Sequence, residues 1–171
     1  DRDGKRHRIL QERMEQLVPS TSDNGIKVAV ESIHGDFLKA DPSDPMFANV
    51  KAIMLDPSCS GSGIVNSPDR DDAKKDEQRI QSLSNFQLVA LKHCMSFPNV
   101  DKIVYSTCSV YEEENEAVVS KVLSEMEKSE DDGDQWELIA PVCLEHWPRK
   151  GKQGGIGGLT RSQADCLIRC D

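Results

Sequence analysis

No stretch of this chain approaches the roughly 20 consecutive apolar residues that a membrane-spanning helix needs. Residues 1–10 also lack the apolar segment of a secretory signal peptide, and the chain starts with Asp rather than Met. Internal repeats are missing, and 37% hydrophobic with 30% charged residues is typical of a globular domain, unlike collagen or a uniformly disordered chain. We therefore expect about one domain's worth of a longer protein.

An excess of positive charge is missing as well. The chain has 21 Lys and Arg against 30 Asp and Glu, a formal net charge of −9, which argues against non-specific nucleic-acid binding by the chain as a whole. The acids are concentrated at 69–77, 112–116 and 130–134, whereas residues 1–8 are mostly basic. The acidic total therefore leaves room for one basic groove.

The six cysteines lack the spacing of a zinc site. None belongs to a C-x-x-C pair, and Cys166 and Cys170, which come nearest, have no matching second pair. Because no secretory signal is visible, structural disulfides are not expected either. We predict no metal site, and some cysteines should simply be small buried hydrophobic residues.

Hydrophobic periodicity predicts strands that alternate with helices. Helices are predicted at 4–17, 76–97 and 112–127, and strands at 26–33, 50–55, 102–106 and 164–170. The acids at 112–116 would occupy a helix N-terminus, which favours negative charge. An acidic segment, 128–135, and a Gly-rich one, 149–163, are expected to be flexible loops. The alternation implies an α/β fold with a parallel sheet, in which ligands bind at the carboxyl ends of the strands.

Acids and thiols follow three of these predicted strands. Asp36 comes soon after the first, Asp56 and Cys59 follow the second in the segment DPSCSGSG, and Cys108 follows the third. A Gly/Ser-rich loop lets the backbone approach a ligand closely, and a thiol near a helix N-terminus, as Cys108 is predicted to be, can have a lowered pKa and act as a nucleophile. One cysteine at a strand end usually packs in the core, but two at the tips of strands expected to be neighbours indicate chemistry.

Two segments carry a resemblance to a known family. DPSCSGSG at 56–63 and YSTCSVYEEENEAVV at 105–119 resemble motifs IV and VI of the NSUN (RsmB-like, Sun-domain) RNA cytosine-5 methyltransferases. GDF at 35–37 and DPSDP at 41–45 resemble the branch numbered five, which methylates the large ribosomal RNA. Short motifs singly give false positives, but two long ones in the expected order and context seldom do.

The resemblance implies a Rossmann-like class I S-adenosylmethionine-dependent methyltransferase. Residues 1–171 would be the C-terminal part of one catalytic domain, incomplete because the first strand and the Gly-rich loop would precede Asp1. The family's closing Gly-Phe-Phe strand is likewise missing after Asp171. The resemblance further implies S-adenosylmethionine as cofactor, RNA and in particular large-subunit rRNA as partner, no membrane, and a nuclear, nucleolar location. The fragment alone need not be active.

The resemblance also implies catalytic roles for three residues. Carbon-5 of cytosine is a poor nucleophile, and thiolate attack on carbon-6 gives an adduct whose carbon-5 can accept a methyl group. By resemblance Cys108 is the attacking thiol, and Cys59 is the second cysteine, which helps to release the methylated RNA. Asp56 would stabilise the adduct through the base and also contact the cofactor.

Three more residues are cofactor contacts by resemblance. Asp1 is similar to the acid at the end of the second strand that binds the ribose hydroxyls, and Arg6 to the basic contact in the family's Asp-x-Asp-x-Lys-Arg pattern. Asp36 is similar to the acid that reaches the adenine amine. The other polar residues of the first run are interpreted as a solvated helix start: Asp3, Lys5 and His7.

Three alternatives remain open. A DNA cytosine methyltransferase would place its nucleophile at the position of Cys59, and the presence of Cys108 argues against it. A catalytically silent RNA-binding or ribosome-assembly protein of the same fold would need neither thiol. The third alternative is a gene-model fragment.

Overall fold

A computed structural model of the chain describes residues 1–17, 30–64, 76–127 and 136–170. The chain divides into two compact units, Asp1–Ala48 and Asn49–Asp171. Within the described residues, no helix combines the length and apolar character that crossing a membrane requires. The loop predicted at 128–135 lies outside the described residues.

The first unit begins with helix α1, Gly4–Leu17, as the periodicity predicts. Asp3 caps this helix, because its Oδ1 accepts hydrogen bonds from the backbone N–H groups of Lys5 at 3.0 Å and Arg6 at 2.9 Å. The bond from the Arg6 N–H is the main reason why the pKa of the Asp3 carboxyl lies below its ordinary value. The interpretation of this run as a helix start is confirmed for Asp3.

The strand predicted at 26–33 is only partly visible. Its first four residues lie outside the described residues, and the last four are not assigned to a strand. However, the Asp1 nitrogen donates to the Ile33 carbonyl at 2.8 Å, and the Gly35 N–H donates to the Asp1 carbonyl at 3.1 Å. Two bonds that flank His34 in this way have the spacing of a parallel ladder, so Asp1 and His34 lie side by side.

The second unit contains a β–α–β arrangement made of β1 (Ala52–Leu55), α2 (Glu77–Met95) and β2 (Lys102–Tyr105). The two strands pair in parallel over their whole length, with the first residues opposite each other and the last residues opposite each other. Strand–helix alternation and the parallel sheet are therefore confirmed, with strands slightly shorter than predicted. Among the described residues the sheet consists of these two strands.

Helix α3, Glu116–Glu127, packs against α2 to form the core. Apolar side chains three or four residues apart share one face of each helix, and these side chains are buried: Ile80, Leu88, Leu91 and Cys94 of α2, with Val118 and Val122 of α3. Burial raises the pKa of the Cys94 thiol to about 11, as befits a core cysteine. The predicted helix start at 112 is wrong, because Glu112–Glu114 form a separate 3₁₀ turn.

The segment after residue 136 contains a short helix α4, Arg161–Asp165, and two isolated antiparallel bridges, Lys150 with Ile168 and Gly154 with Leu159. The strand predicted at 164–170 is therefore wrong, since its first two residues are helical and only Ile168 forms a bridge. The reason is a capping box at Thr160, which starts α4 in place of a strand. The flexibility of 149–163 stays a prediction.

Candidate active site

Cys59 and Cys108 lie side by side at one edge of the sheet. Strands β1 and β2 are parallel and in register, so the loops that follow them leave at the same edge. The two Sγ atoms are 2.8 Å apart, and Cys59 is half-buried whereas Cys108 is exposed. The thiols that the sequence places at neighbouring strand ends therefore meet, within reach of solvent.

The pKa of Cys108 is raised to about 11. The main cause is the hydrogen bond with the Cys59 sulfur, followed by partial desolvation, and the negative charge of Asp56 adds to them. The expectation of a lowered pKa is wrong, because α3 begins only at Glu116 and the Cys59 sulfur, with a smaller effect of the Asp56 carboxylate, raises the pKa instead. Asp56, which directly follows β1, is exposed and belongs to this cluster.

The Gly/Ser-rich loop after β1 passes directly over the loop that carries Cys108. The Gly63 N–H donates to the Cys108 carbonyl at 2.8 Å, and a Cβ at Gly63 would lie 2.7 Å from that oxygen. Gly61 has a φ of 71°, in the left-handed region that glycine adopts readily. The glycines therefore allow the backbone of this loop to approach the neighbouring loop that carries Cys108.

Three serine hydroxyls connect the two loops. The Oγ atoms of Ser60, Ser62 and Ser109 form a triangle with sides of 3.1 Å. Ser62 Oγ also accepts from the Val110 N–H at 3.0 Å, and Ser109 Oγ accepts from the Tyr111 N–H at 3.1 Å. These bonds join a residue near Cys59 to the backbone that follows Cys108.

A buried carboxylate, that of Glu114, lies beneath both loops. It accepts hydrogen bonds from the Ser60 N–H at 2.9 Å, from Ser109 Oγ at 2.6 Å and from Gln87 Nε2 at 2.9 Å. Ser60 follows Cys59 in the chain and Ser109 follows Cys108. One carboxylate therefore holds the residues adjacent to both thiols.

Gln87 and Tyr105 complete this buried network. Gln87, on α2, is fully buried, and its Nε2 also donates to the Ser58 carbonyl at 3.0 Å. The Tyr105 hydroxyl donates to the Glu114 carbonyl at 2.6 Å, and burial is the main reason why its pKa lies far above the ordinary value. The polar groups under the loops are thus hydrogen-bonded, as buried polar groups must be.

Asn115 also holds the loop that carries Cys108. Its Oδ1 accepts from Thr107 Oγ1 at 2.7 Å, and its Nδ2 donates to the carbonyls of Ser109 at 2.9 Å and Tyr111 at 2.8 Å. Sequence reasoning missed Asn115 and Glu114, because an acidic run at a helix start suggests a solvated surface. The available signal was the segment Glu-Asn-Glu immediately before an apolar helical stripe.

Glu116 connects the site to the C-terminal segment. Its carboxylate, 1% exposed, receives Arg169 Nε at 2.7 Å and Nη2 at 2.9 Å, and Arg169 Nη1 donates to the Val110 carbonyl at 3.2 Å. Glu112 pairs with Lys152 Nζ at 2.9 Å, and their hydrogen bond is the main cause of the lowered pKa of Glu112. Residues 149–170 are therefore held against the segment that follows Cys108.

Three of the four predicted cofactor contacts, Asp1, Arg6 and Asp36, lie in the first unit, and the fourth, Asp56, lies in the second. The Asp1 carboxylate pairs with Arg6 Nη2 at 3.0 Å and accepts from the Asp3 N–H at 2.9 Å. Asp36 accepts from the Leu38 N–H at 3.2 Å. Because Asp1 is aligned with His34, the carboxylates of Asp1 and Asp36 belong to neighbouring parallel segments, and both are acceptors to which ribose hydroxyls and an adenine amine can donate. Among the described residues no group of His, Cys, Asp or Glu could hold a metal ion.

Comparison with known proteins places these residues in a family. Residues 6–149 match the model of the 16S rRNA methyltransferase RsmB/F family. The chain is 43% identical over 124 residues to the 25S rRNA (cytosine-C(5))-methyltransferase NSUN5 of Arabidopsis thaliana. The matched region covers 67% of the chain and 22% of that protein. It is 41% identical over 130 residues to the 25S rRNA (cytosine-C(5))-methyltransferase rcm1 of Schizosaccharomyces pombe. That match covers 73% of the chain and 26% of the yeast protein.

A mammalian relative gives the same result. The chain is 41% identical over 118 residues to the 28S rRNA (cytosine-C(5))-methyltransferase of Mus musculus. The matched region covers 68% of the chain and 24% of the mouse protein. The chain thus spans about a quarter of the length of these relatives. The family match includes the loops of both neighbouring cysteines and the buried network beneath them. The chain belongs to the RsmB/F family of rRNA methyltransferases.

Proposed function

We propose that the protein containing this chain transfers a methyl group from S-adenosylmethionine to carbon-5 of a cytosine in large-subunit rRNA. The observation that carries the proposal is the contact between Cys59 and Cys108 beside Asp56, at the carboxyl edge of a parallel sheet. The names of the relatives from plant, yeast and mouse support the substrate class. A Rossmann-like class I fold and a nucleolar location belong to the same proposal.

Cys108 is the proposed nucleophile. Its thiolate forms a bond to carbon-6 of the cytosine, and the displaced electron pair makes carbon-5 able to accept the methyl group. A proton is then lost from carbon-5, and elimination breaks the sulfur–carbon bond and restores the thiolate. Because the sulfurs are 2.8 Å apart, Cys59 is placed to assist the release of the product.

Asp56 has the proposed role of stabilising the adduct. Its exposed carboxylate lies close enough to Cys108 to raise the pKa of that thiol. A carboxylate at this position can accept a hydrogen bond from the exocyclic amine of the base, or share a proton with the ring. The same charge that disfavours a free Cys108 thiolate would therefore favour the bound, protonated base.

The cofactor supplies the methyl group when it is bound. Asp1 would accept hydrogen bonds from the ribose hydroxyls and Asp36 from the adenine amine. Arg6, whose guanidinium holds the Asp1 carboxylate at 3.0 Å, would orient that acceptor. These residues account for the nucleoside half of the cofactor.

A catalytically silent RNA-binding or ribosome-assembly protein of the same fold is the second candidate. The observation that favours it is the raised pKa of Cys108, which keeps that sulfur protonated at neutral pH. The buried network that fixes both cysteine loops favours the enzyme, because a protein that only binds RNA has no need to hold two thiols together.

Bisulfite sequencing of rRNA tests the proposal. Cells lacking the full-length gene should lose the unconverted signal at one cytosine of the large-subunit rRNA, and the wild-type gene should restore it. The Cys108→Ala gene should fail to restore it, whereas a gene with Cys143→Ala, at an exposed cysteine in the same unit, should succeed. Unchanged methylation in the cells that lack the gene would favour the silent protein.

A further inference from the structure

Two thiols in contact at a solvent-accessible edge can react with each other as well as with a substrate. The Cys59 and Cys108 sulfurs are 2.8 Å apart, and a disulfide bond of about 2.05 Å would require them to approach by less than about 1 Å. Cys108 is exposed and Cys59 half-buried, so a small oxidant can reach the pair. We propose that Cys59 and Cys108 form a reversible intramolecular disulfide under mild oxidation.

The surrounding hydrogen bonds favour this pairing. Gly63 is bound to the Cys108 carbonyl, and the Ser60 and Ser109 hydroxyls are 3.1 Å apart, so the two loops are held together whatever the state of the sulfurs. Glu114 binds the residue after each cysteine. Because the loops are already held in contact, closing the bond costs little further chain entropy, and the reaction is intramolecular.

The reaction balances with a peroxide as the oxidant. The thiolate of one cysteine attacks a peroxide oxygen, the O–O bond breaks, hydroxide leaves, and the sulfur becomes a sulfenic acid. The sulfur of the other cysteine attacks this sulfenic acid, forming the S–S bond, and the hydroxyl leaves as water together with the remaining thiol proton. Two thiols are oxidised by two electrons in total, and hydrogen peroxide is reduced to two molecules of water.

The disulfide would also act as a switch on the proposed function. Both proposed catalytic sulfurs are consumed in it, so methyl transfer should stop until a dithiol reductant restores them. This consequence rests on the proposed function, whereas the formation of the disulfide does not. The disulfide proposal and the proposed function can therefore be disproved separately.

Peptide mapping of the full-length protein tests the pairing. The protein is treated with hydrogen peroxide, its free thiols are blocked with N-ethylmaleimide, and it is digested with trypsin without reduction. Trypsin should release residues 52–70 and 103–121, each containing one cysteine. We expect these peptides to appear as a linked pair, at the sum of their masses less two hydrogens, and to separate after treatment with dithiothreitol.

Variants identify the sulfurs involved. Cys59→Ser and Cys108→Ser should each abolish the linked pair, and Cys143→Ser should retain it. The proposal is overturned if both peptides remain blocked by N-ethylmaleimide, become sulfinic acids without linking, or link to other cysteines. A linked pair in a protein without methyltransferase activity would leave the disulfide standing and remove the proposed function. If methylation survives peroxide and no linked pair forms, the proposed function stands and the disulfide proposal is overturned.

Discussion

The carboxylate of Glu114 and the side-chain amide of Gln87 lie 2.9 Å apart, both fully buried, beneath the two loops that carry the cysteines. Gln87 comes from α2 and Glu114 ends the 3₁₀ turn before α3, so their bond joins the elements that support these loops. Burying a carboxylate is costly unless hydrogen bonds compensate it, and here three donors do so. The placement of the thiols therefore depends on a polar core below the sheet edge.

Replacing Glu114 tests this dependence. Glu114→Ala should lower the free energy of unfolding by about 3 kcal/mol, because the donors of Ser60, Ser109 and Gln87 lose a charged acceptor inside the protein. The measurement is denaturant unfolding of wild type and variant. Glu127→Ala, at the exposed end of α3, is the control and should change stability by less than about 0.5 kcal/mol. Equal effects of the two changes would contradict the structural role of Glu114.

Gly63 should tolerate no side chain. A Cβ there would lie 2.7 Å from the Cys108 carbonyl, so Gly63→Ala should cost about 1–3 kcal/mol of stability and displace the Cys108 loop. Thermal unfolding measures the first effect, and the rate of alkylation at Cys108 measures the second. Gly35→Ala is the matched control, since a Cβ at Gly35 meets nothing within 4 Å. A Gly63 variant with wild-type stability and reactivity would show that the loops do not touch.

The buried ion pair of Arg169 with Glu116 should be far more important than an exposed one. Arg169→Ala leaves the Glu116 carboxylate, which is 1% exposed, without its ion-pair partner, and should destabilise the protein by about 3–5 kcal/mol. Arg161→Ala, which breaks an exposed pair with Asp165, should cost about 0.3–0.5 kcal/mol. Unfolding of both variants in urea compares them. Similar losses would mean that residues 149–170 are not anchored through Glu116.

The reactivity of Cys108 should depend on pH through Cys59. Because the hydrogen bond to Cys59 is the main cause that raises the pKa of Cys108 to about 11, alkylation of Cys108 should keep accelerating above its ordinary pKa of 9.0. Cys59→Ala removes that cause, so the pKa should fall towards 9.0. At neutral pH the thiolate fraction then rises, and the lower nucleophilicity of a less basic thiolate leaves a net gain of about tenfold in rate.

Iodoacetamide labelling of peptide 103–121 across the pH range measures this rate. Cys143→Ala provides the control, and its profile at Cys108 should match that of the wild type. A Cys59→Ala profile identical to the wild-type profile would show that the neighbouring sulfur does not control Cys108.

The sequence predicts the frame of the site because that frame follows from periodicity. Short apolar runs and the 3.6-residue stripe of α2 define a β–α–β arrangement, and parallel strands bring their carboxyl ends to one edge. This arrangement brings the loops of Cys59 and Cys108 to the same edge of the sheet. The catalytic roles proposed for Cys59 and Cys108 come from the family resemblance, whereas their contact follows from this geometry.

The supporting interactions could not be predicted, because they depend on tertiary contacts. Glu114 and Glu116 belong to a run of acids that local reasoning assigns to a solvated helix start, yet loops distant in sequence and Arg169 bury them. The expectation of a lowered Cys108 pKa is wrong for the same reason, since the main cause of the shift is the sulfur of Cys59, which is distant in sequence. Helix α4 forms in place of a strand because a capping box prevails over a short apolar segment.

The central claim is that Cys108 bonds to the RNA and Cys59 releases it. The most direct measurement incubates the full-length protein with its rRNA substrate and S-adenosylmethionine, then looks for a covalent RNA–protein complex on a denaturing gel. Cys59→Ala should accumulate the complex, and Cys108→Ala and the double variant should form none and methylate nothing. Methylation that persists in Cys108→Ala, or a complex that persists in the double variant, would contradict the account.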